Sequence, residues 1–357
     1  MSVINIRSMS RKKLSVIIGI AVAVLFAAAA AGTAFVYSLF LKPNFRADAG
    51  GVYIYARVAG DFDYIVRQIE DAGCAVDVKS FVRAARLRHA DTVLRPGRYR
   101  IKDGMCNREV VNMLNGGMQT PVKLRINNIR LPEQLARKLG AQLRADSAQF
   151  MTLLGDSAFL KRYDVDCRNV LSLFLPDTYE VYWTIEPEAL FDRMCREYGR
   201  FWNDERRKKA EAAGLTPLEV SVLASIVDSE TNSRREKPTV AGLYINRLRR
   251  GIPLQSDPTV KFAVGDFSLT QILYEHLDVE SPYNTYKYAG LPPGPICMPT
   301  KEGIDAVLNY EKHNYLYMCA KETLDGEHNF AATLSEHNRN AARYHAALRR
   351  WMRQNRK

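Results

Sequence analysis

The stretch ASIVDSETNSRRE, Ala224 to Glu236, sets two carboxylates two residues apart at the end of an apolar helical pattern. Leu223, Ile226 and Val227 recur three and four apart, so they share one helical face. Counting four from Ile226, or three from Val227, lands on Glu230; Asp228 falls on roughly the opposite side. A carboxyl on the inward face loses water, favours its protonated form and becomes a proton donor. The competing reading is a frayed helix end from which Glu230 bends out to solvent. Its neighbours decide between the two.

Thr216-Pro217-Leu218-Glu219 has the form of a helix start, with Thr216 as N-cap, Pro217 in the first turn and Glu219 completing a capping box. After NSRRE comes PTVAGLYINRLRRG, a second helix with Val240, Tyr244 and Leu248 as its stripe and Asn246 and Arg247 alongside. LQSDPTVKF places Gln255 and Asp257 in a turn before an apolar run. SPYNTYKYAGLPPGPI gathers Tyr283, Asn284 and Tyr286 in one loop, where aromatic faces and amides suit a sugar's mixed apolar and hydroxyl surface. GEHNFAATLSEHN adds His328 and Asn338. No G-x-S-x-G elbow and no phosphate-cradling GxxxxGK[ST] occurs. The six cysteines are scattered, without a CxxC pair or a histidine at ligand spacing, so neither a metal nor another cofactor is expected. Buried thiols and disulfides both remain open.

Around this chemistry the chain is long enough for two or three domains. Leu14 to Leu41 carries no charge, and roughly 20 apolar residues suffice to cross a bilayer as a helix. A cleaved signal peptide competes, but its apolar region is only about 7–15 residues long. Arg7, Arg11, Lys12 and Lys13 precede the run, whereas only Lys42 and Arg46 follow before Asp48. That bias puts the N-terminus in the cytoplasm and exports everything after Pro43. The formal charge of +12 is concentrated in RYHAALRRWMRQNRK, a basic helix with Tyr344, Leu348, Trp351 and Met352 on one edge. It either docks by that edge or is drawn to an anionic membrane face or wall polymer. Nucleic acid is a poor partner for an exported domain with no recognisable binding module.

The rest alternates strands and helices. GVYIYARV is a strand, Asp61 caps a helix over FDYIVRQIEDAG, and a second helix near Val78 to Arg88 leads to a strand from Gly97 to Ile101. Asn107 to Gly117 is a capped helix with Gly116 as its stop, followed by a strand from Val122 and two helices. LFLPDTYEVYW, a Pro-Asp turn between aromatic-rich strands, opens a second domain. Helices follow near Pro187 to Trp202 and Asn203 to Ala213, and NYLYMCAK is a late core strand from Asn314.

ASIVDSET, INRL, LQSDPTV, YNTY with GLPPGPI, and the late HNF and HN, in this order and spacing, resemble the MltG (YceG-like) endolytic murein transglycosylases. LFLPDTY resembles that family's aromatic-Pro-Asp-Thr-Tyr segment. The resemblance implies an α+β fold with a single N-terminal transmembrane helix, a LysM-like βααβ region and a mixed α+β catalytic domain. The implied boundaries are 1–13 cytoplasmic, 14–41 transmembrane, 50–120 LysM-like, 121–170 connecting, 171–342 catalytic and 343–357 the basic helix. The family's catalytic glutamate, the second acid of E-x-E-T, maps onto Glu230, with Asp228 in place of the first. Asp228, Asn246, Arg247, Gln255, Asp257, Tyr283, Asn284, Tyr286, His328 and Asn338 become substrate-binding expectations, with Arg247 either pairing Asp257 or gripping a carboxylate. The implied reaction cuts the MurNAc-β-1,4-GlcNAc bond within glycan strands and leaves 1,6-anhydro ends. Implied partners are peptidoglycan strands, the cytoplasmic (inner) membrane and wall-synthesis proteins. A hydrolytic muramidase with Asp257 as second acid, and a non-catalytic anchored glycan-binding scaffold, are the alternatives.

Overall fold

The computed structural model describes residues 11–355. Residues 1–10, with Arg7 of the cytoplasmic segment, and Arg356 and Lys357 of the basic tail lie outside the described residues. The fold is mixed α+β and divides into two compact units, 1–122 with 182–184, and 123–181 with 185–357.

The first unit begins with α1 (Arg11–Val36), which runs on into a π-helical turn, Tyr37–Leu41. Leu14–Leu41 has a mean hydropathy of 2.7, and its apolar window is wholly unburied by protein. That length and apolar coat fit a membrane anchor. β1 (Val52–Ala56) then pairs antiparallel with β2 (Gly97–Ile101), in register from Val52↔Ile101 to Ala56↔Gly97. Strand alternation sends Ile54, Ala56, Tyr99 and Ile101 inward. They meet Ile65 and Ile69 of α2 (Phe62–Asp71), Phe81 of α3 (Val78–Leu87), the short α4 (Ala90–Val93), and Val110 and Leu114 of α5 (Asn107–Gly116).

Two expected helix ends differ here. Asp61 makes no side-chain cap on α2; the Phe62 N–H donates to the Gly60 carbonyl instead, at 2.8 Å. Gly116 stays inside α5, and Gly117, at φ 65°, is the left-handed stop.

In the second unit β3 (Val122–Ile126) precedes α6 (Pro132–Gly140), α7 (Ser147–Gly155) and α8 (Ser157–Lys161). β3 pairs with β4 (Asp177–Val181), so the segment expected to connect two domains shares a sheet with the residues after it. Only one strand forms in LFLPDTYEVYW, because Val170–Leu173 is a 3-10 turn. Next come α9 (Pro187–Phe201), α10 (Asp204–Ala213), α11 (Pro217–Glu230), α12 (Lys237–Arg249), α13 (Asp257–Val264) and α14 (Lys301–Leu308). A hairpin of β5 (Tyr317–Ala320) and β6 (His328–Ala331) leads into α15 (Leu334–Gln354). β5 is half-buried and starts later than expected, so it is a covering strand and not a core strand. The basic tail is the far part of α15 and not a separate helix; Trp351 and Met352 on its expected docking edge are half exposed.

α11 is the hub. Every residue from Val220 to Val227 is buried, because α10, α12, α13 and α14 all pack on it. Its two interior serines stay satisfied: Ser221 donates to the Pro217 carbonyl at 3.0 Å and Ser225 to the Val222 carbonyl at 2.7 Å. α12 approaches its neighbours through Gly242, where an added Cβ would run into the Glu311 carbonyl oxygen. Gly242→Ala is therefore expected to lower stability by about 1–3 kcal/mol, read by urea denaturation.

Candidate active site

The capping box at the start of α11 forms as expected. The Thr216 hydroxyl accepts the Glu219 N–H at 3.2 Å, and Glu219 accepts the Thr216 N–H at 2.7 Å. Fourteen residues later the helix ends on Glu230, because Thr231 is extended. Glu230 Oε1 accepts two hydroxyls, Tyr244 of α12 at 2.6 Å and Ser256 at 2.5 Å. Ser256 precedes α13 and is itself clamped: its N–H donates to the Thr285 hydroxyl at 3.0 Å, and its carbonyl accepts the Thr259 hydroxyl at 2.7 Å.

Burial is the largest influence on the Glu230 carboxyl and pushes its pKa up; the nearby charge of Asp257 adds to the rise. The Ser256 and Tyr244 hydroxyls and His328 oppose it, and burial wins. The side chain keeps a partly accessible edge, but dense protein around the carboxyl sets its acidity. Both donors go to Oε1, whereas Oε2 makes no hydrogen bond among the described residues. The proton of the neutral acid therefore belongs on Oε2, the oxygen left for a ligand.

A groove of about 900 Å³ is lined by residues on either side of Glu230 in the chain, Ser229 and Asn232, although Glu230 itself is not part of its lining. Asp257 and Phe262 of α13 also line it, as do Asn127, Asn128 and Arg130 from the loop after β3. A smaller hollow of about 540 Å³ on α2 and α3, in the first unit, has Glu70 as its only acid among four charged groups and lacks a comparable acid–base arrangement.

Tyr286 donates to Asp257 Oδ1 at 2.6 Å, so this expected pair stands next to Ser256. Burial and that bond raise the Tyr286 pKa. Tyr283 packs its ring 4.6 Å from Phe262, and burial pushes its hydroxyl to about 12. His328 is held by Glu236, whose carboxylate accepts the His328 N–H at 2.7 Å and lies 3.1 Å from Nδ1. Thr231 also donates to Glu236, at 3.2 Å, tying the residue after Glu230 to β6.

Six expectations change. Asp228 does not point to water: its side chain is 8% exposed, 2.7 Å from Lys237 Nζ, and accepts the Thr300 N–H at 2.7 Å. α14 fits against it through Gly303, whose added Cβ would lie 2.5 Å from the Asp228 carboxylate. Arg247 neither pairs with Asp257 nor reaches outward. It is buried and donates to the carbonyls of Leu316, Pro253 and Leu254, which fastens the turn ahead of Ser256. Gln255 in that turn adopts φ 53° and accepts Arg247 at 3.2 Å. Asn246 donates to the His313 and Tyr315 carbonyls, and fully buried Asn284 to those of Leu277 and Val279; both brace loops. Asn338 is exposed on α15, away from the hydrogen bonds around Glu230.

Three contributors went unread in the sequence: Tyr244, Ser256 and Glu236. Tyr244 carried a usable signal, since a phenol in a buried stripe needs a polar partner.

A partly desolvated acid, oriented through one oxygen and without a hydrogen bond at the other, is a candidate acid–base site on an α+β scaffold. The model of the YceG-like family matches residues 58–343, and the chain belongs to that family. It is similar to a protein of Bacillus subtilis named endolytic murein transglycosylase, 40% identical over 122 residues, or 34% of this chain and 33% of the relative. A Streptococcus pneumoniae protein of the same name is 27% identical over 288 residues, covering 71% of this chain and 51% of its own. The chain thus spans between a third and a half of the length of these relatives. A crystal structure of a YceG-like protein from Listeria monocytogenes matches with a TM-score of 0.55 at 25% identity, over 82% of this chain and 99% of that one.

Two outcomes follow from the geometry. Tyr244→Phe removes a donor that favours the ionised carboxyl, so the Glu230 pKa rises further in a carbon-13 carboxyl titration. Lys237→Met strands the buried Asp228 charge and lowers stability by about 3–5 kcal/mol in chemical denaturation.

Proposed function

We propose that the chain is an endolytic peptidoglycan lytic transglycosylase that cleaves the MurNAc-β-1,4-GlcNAc bond within glycan strands. The observation that carries this is the Glu230 carboxyl, raised in pKa by burial, steadied at Oε1 and unbonded at Oε2. The two relatives named endolytic murein transglycosylase support it.

One carboxyl serves both steps. Neutral Glu230 gives its Oε2 proton to the bridging oxygen as the bond to muramyl C1 breaks. The resulting carboxylate takes the proton of the muramyl C6 hydroxyl, which attacks C1 and closes a 1,6-anhydro ring. No water enters, so a second catalytic carboxylate, usual in glycosidases, is unnecessary. Tyr244 and Ser256 hold the carboxyl in place and stabilise its charge between the steps. Asp257, engaged by Tyr286, raises the pKa of Glu230 through its charge.

In this reading the apolar α1 is a single-pass anchor in the cytoplasmic membrane, with the N-terminus inside. The β1–α2–α3–β2 order, interrupted only by the single turn of α4, supports a LysM-like glycan-holding unit. Of the residues expected to bind substrate, Asp257, Tyr283, Tyr286 and His328 remain in that role. An anchored enzyme meets nascent strands first, so limiting strand length alongside wall-synthesis proteins is its proposed task.

Mass spectrometry of uncrosslinked glycan digested by the soluble part after Pro43 tests the reaction. Anhydro ends are expected; reducing ends carrying added water would establish a hydrolytic muramidase instead. Glu230→Gln abolishes cleavage, whereas Asp228→Asn lowers thermal stability more than turnover. Because the active form is protonated and its pKa is raised, kcat/KM is retained above the ordinary glutamate value and falls as pH climbs through the raised one. The same shift has a stability counterpart. Ionising a desolvated carboxyl weakens the fold as pH rises through its folded pKa, so Glu230→Gln is at least as stable as the parent at pH 8. Scanning calorimetry at pH 4 and pH 8 reads that difference.

A further inference from the structure

We propose that Arg130 is a carboxylate-reading residue of the groove, which takes a negatively charged group pendant on the muramyl sugar; this rests on the glycan substrate proposed above. Arg130 lies in the loop between β3 and α6. That loop is held at both ends: the Arg130 N–H donates to Gln134 at 2.8 Å, and the Ile129 carbonyl accepts the Met298 N–H at 2.7 Å. The guanidinium is half-buried, lines the groove, and sits 4.5 Å from the centre of the Phe267 ring.

Its donors are unspent. Arg168 pairs with Asp166 and Arg206 with Asp305, and Arg247 is occupied by carbonyls. Among the described residues the Arg130 guanidinium has neither an ion pair nor a hydrogen bond; it lies over the Phe267 ring, and its charge also reaches the Cys297 thiol. A planar fork stacked on an aromatic face is orientated in advance, so it gives up little freedom when it grips a carboxylate.

The groove's own acids do not compete. Asp228 is neutralised by Lys237, and Asp257 accepts Tyr286. Lys261 donates to the Leu269 carbonyl at 2.5 Å and pins the opposite loop. Arg130 is thus the groove's uncommitted cation, beside Phe267 and Phe262, whose faces suit pyranose rings. The proposed polymer offers pendant carboxylates from two sources: the peptide stem, and the lactyl group of a muramyl residue that has lost its stem.

The test uses the full chain in detergent, carrying Glu230→Gln to prevent cleavage, with and without Arg130→Gln. Binding is measured calorimetrically to stem-bearing strands, to strands stripped by an amidase, and to an uncharged N-acetylglucosamine hexamer. Arg130→Gln is expected to weaken binding of a carboxylated strand about tenfold and to leave the hexamer unchanged. Dependence confined to stem-bearing strands assigns the stem, and dependence on stripped strands assigns the lactyl carboxylate. Arg130→Lys keeps the charge without the fork and is expected to retain part of the affinity.

Equal loss on the neutral hexamer, no loss on either charged strand, or no binding of any probe would overturn the proposal. Absence of anhydro ends with the parent enzyme would sink the reaction reading alone, leaving the charge-dependent binding to be judged by itself.

Discussion

Everything around Glu230 answers to one constraint, the removal of water from a carboxyl that, in the proposed function, must still move a proton. Two hydroxyls aimed at one oxygen hold that carboxyl while leaving the other oxygen uncommitted. Each donor also favours the charged form, so burial must outweigh both for the acid to stay protonated. That balance explains why the supporting residues are neutral hydroxyls and not cations. A lysine or arginine in place of Tyr244 would pull the acid back into its ordinary range.

Rigidity comes from the helices around α11. Its residues from Val220 to Val227 are enclosed, its first turn is closed by a reciprocal cap, and its last is tied through Thr231 and Glu236 to β6. The buried Asp228–Lys237 pair adds little net stability of its own, but it fixes α12 and the start of α14 against α11. Arg247 plays the matching part on the other side, fastening the turn that delivers Ser256. Asp228 and Arg247, which looked like ligands for substrate, are in the structure part of the frame around Glu230.

Local pattern made most helices and the β1–β2 pairing legible, because periodicity and turn residues act over short distances. Glu230 was legible for a partly mistaken reason. The three- and four-residue spacing picked out the acid whose carboxyl the structure desolvates, yet α11 is buried all round from Val220 to Val227, so the outward face assigned to Asp228 does not exist. Arg247, Asn246 and Asn284 were misread because a polar side chain satisfying buried carbonyls is indistinguishable in sequence from one awaiting a ligand. The far groove wall at Asn127 to Arg130 was invisible for another reason: only tertiary packing carries that loop to Phe267 and Cys297.

Gly303 and Asp228 divide a single small volume, with the glycine's missing methyl filled by the carboxylate. Substitutions at positions 228 and 303 are consequently coupled. A bulkier residue at one is tolerable only where the other has room to give, and the effect of either substitution depends on which came first. Grafting a longer acid onto position 228 alone would meet the start of α14 as an obstacle, however close the chemistry of the two acids.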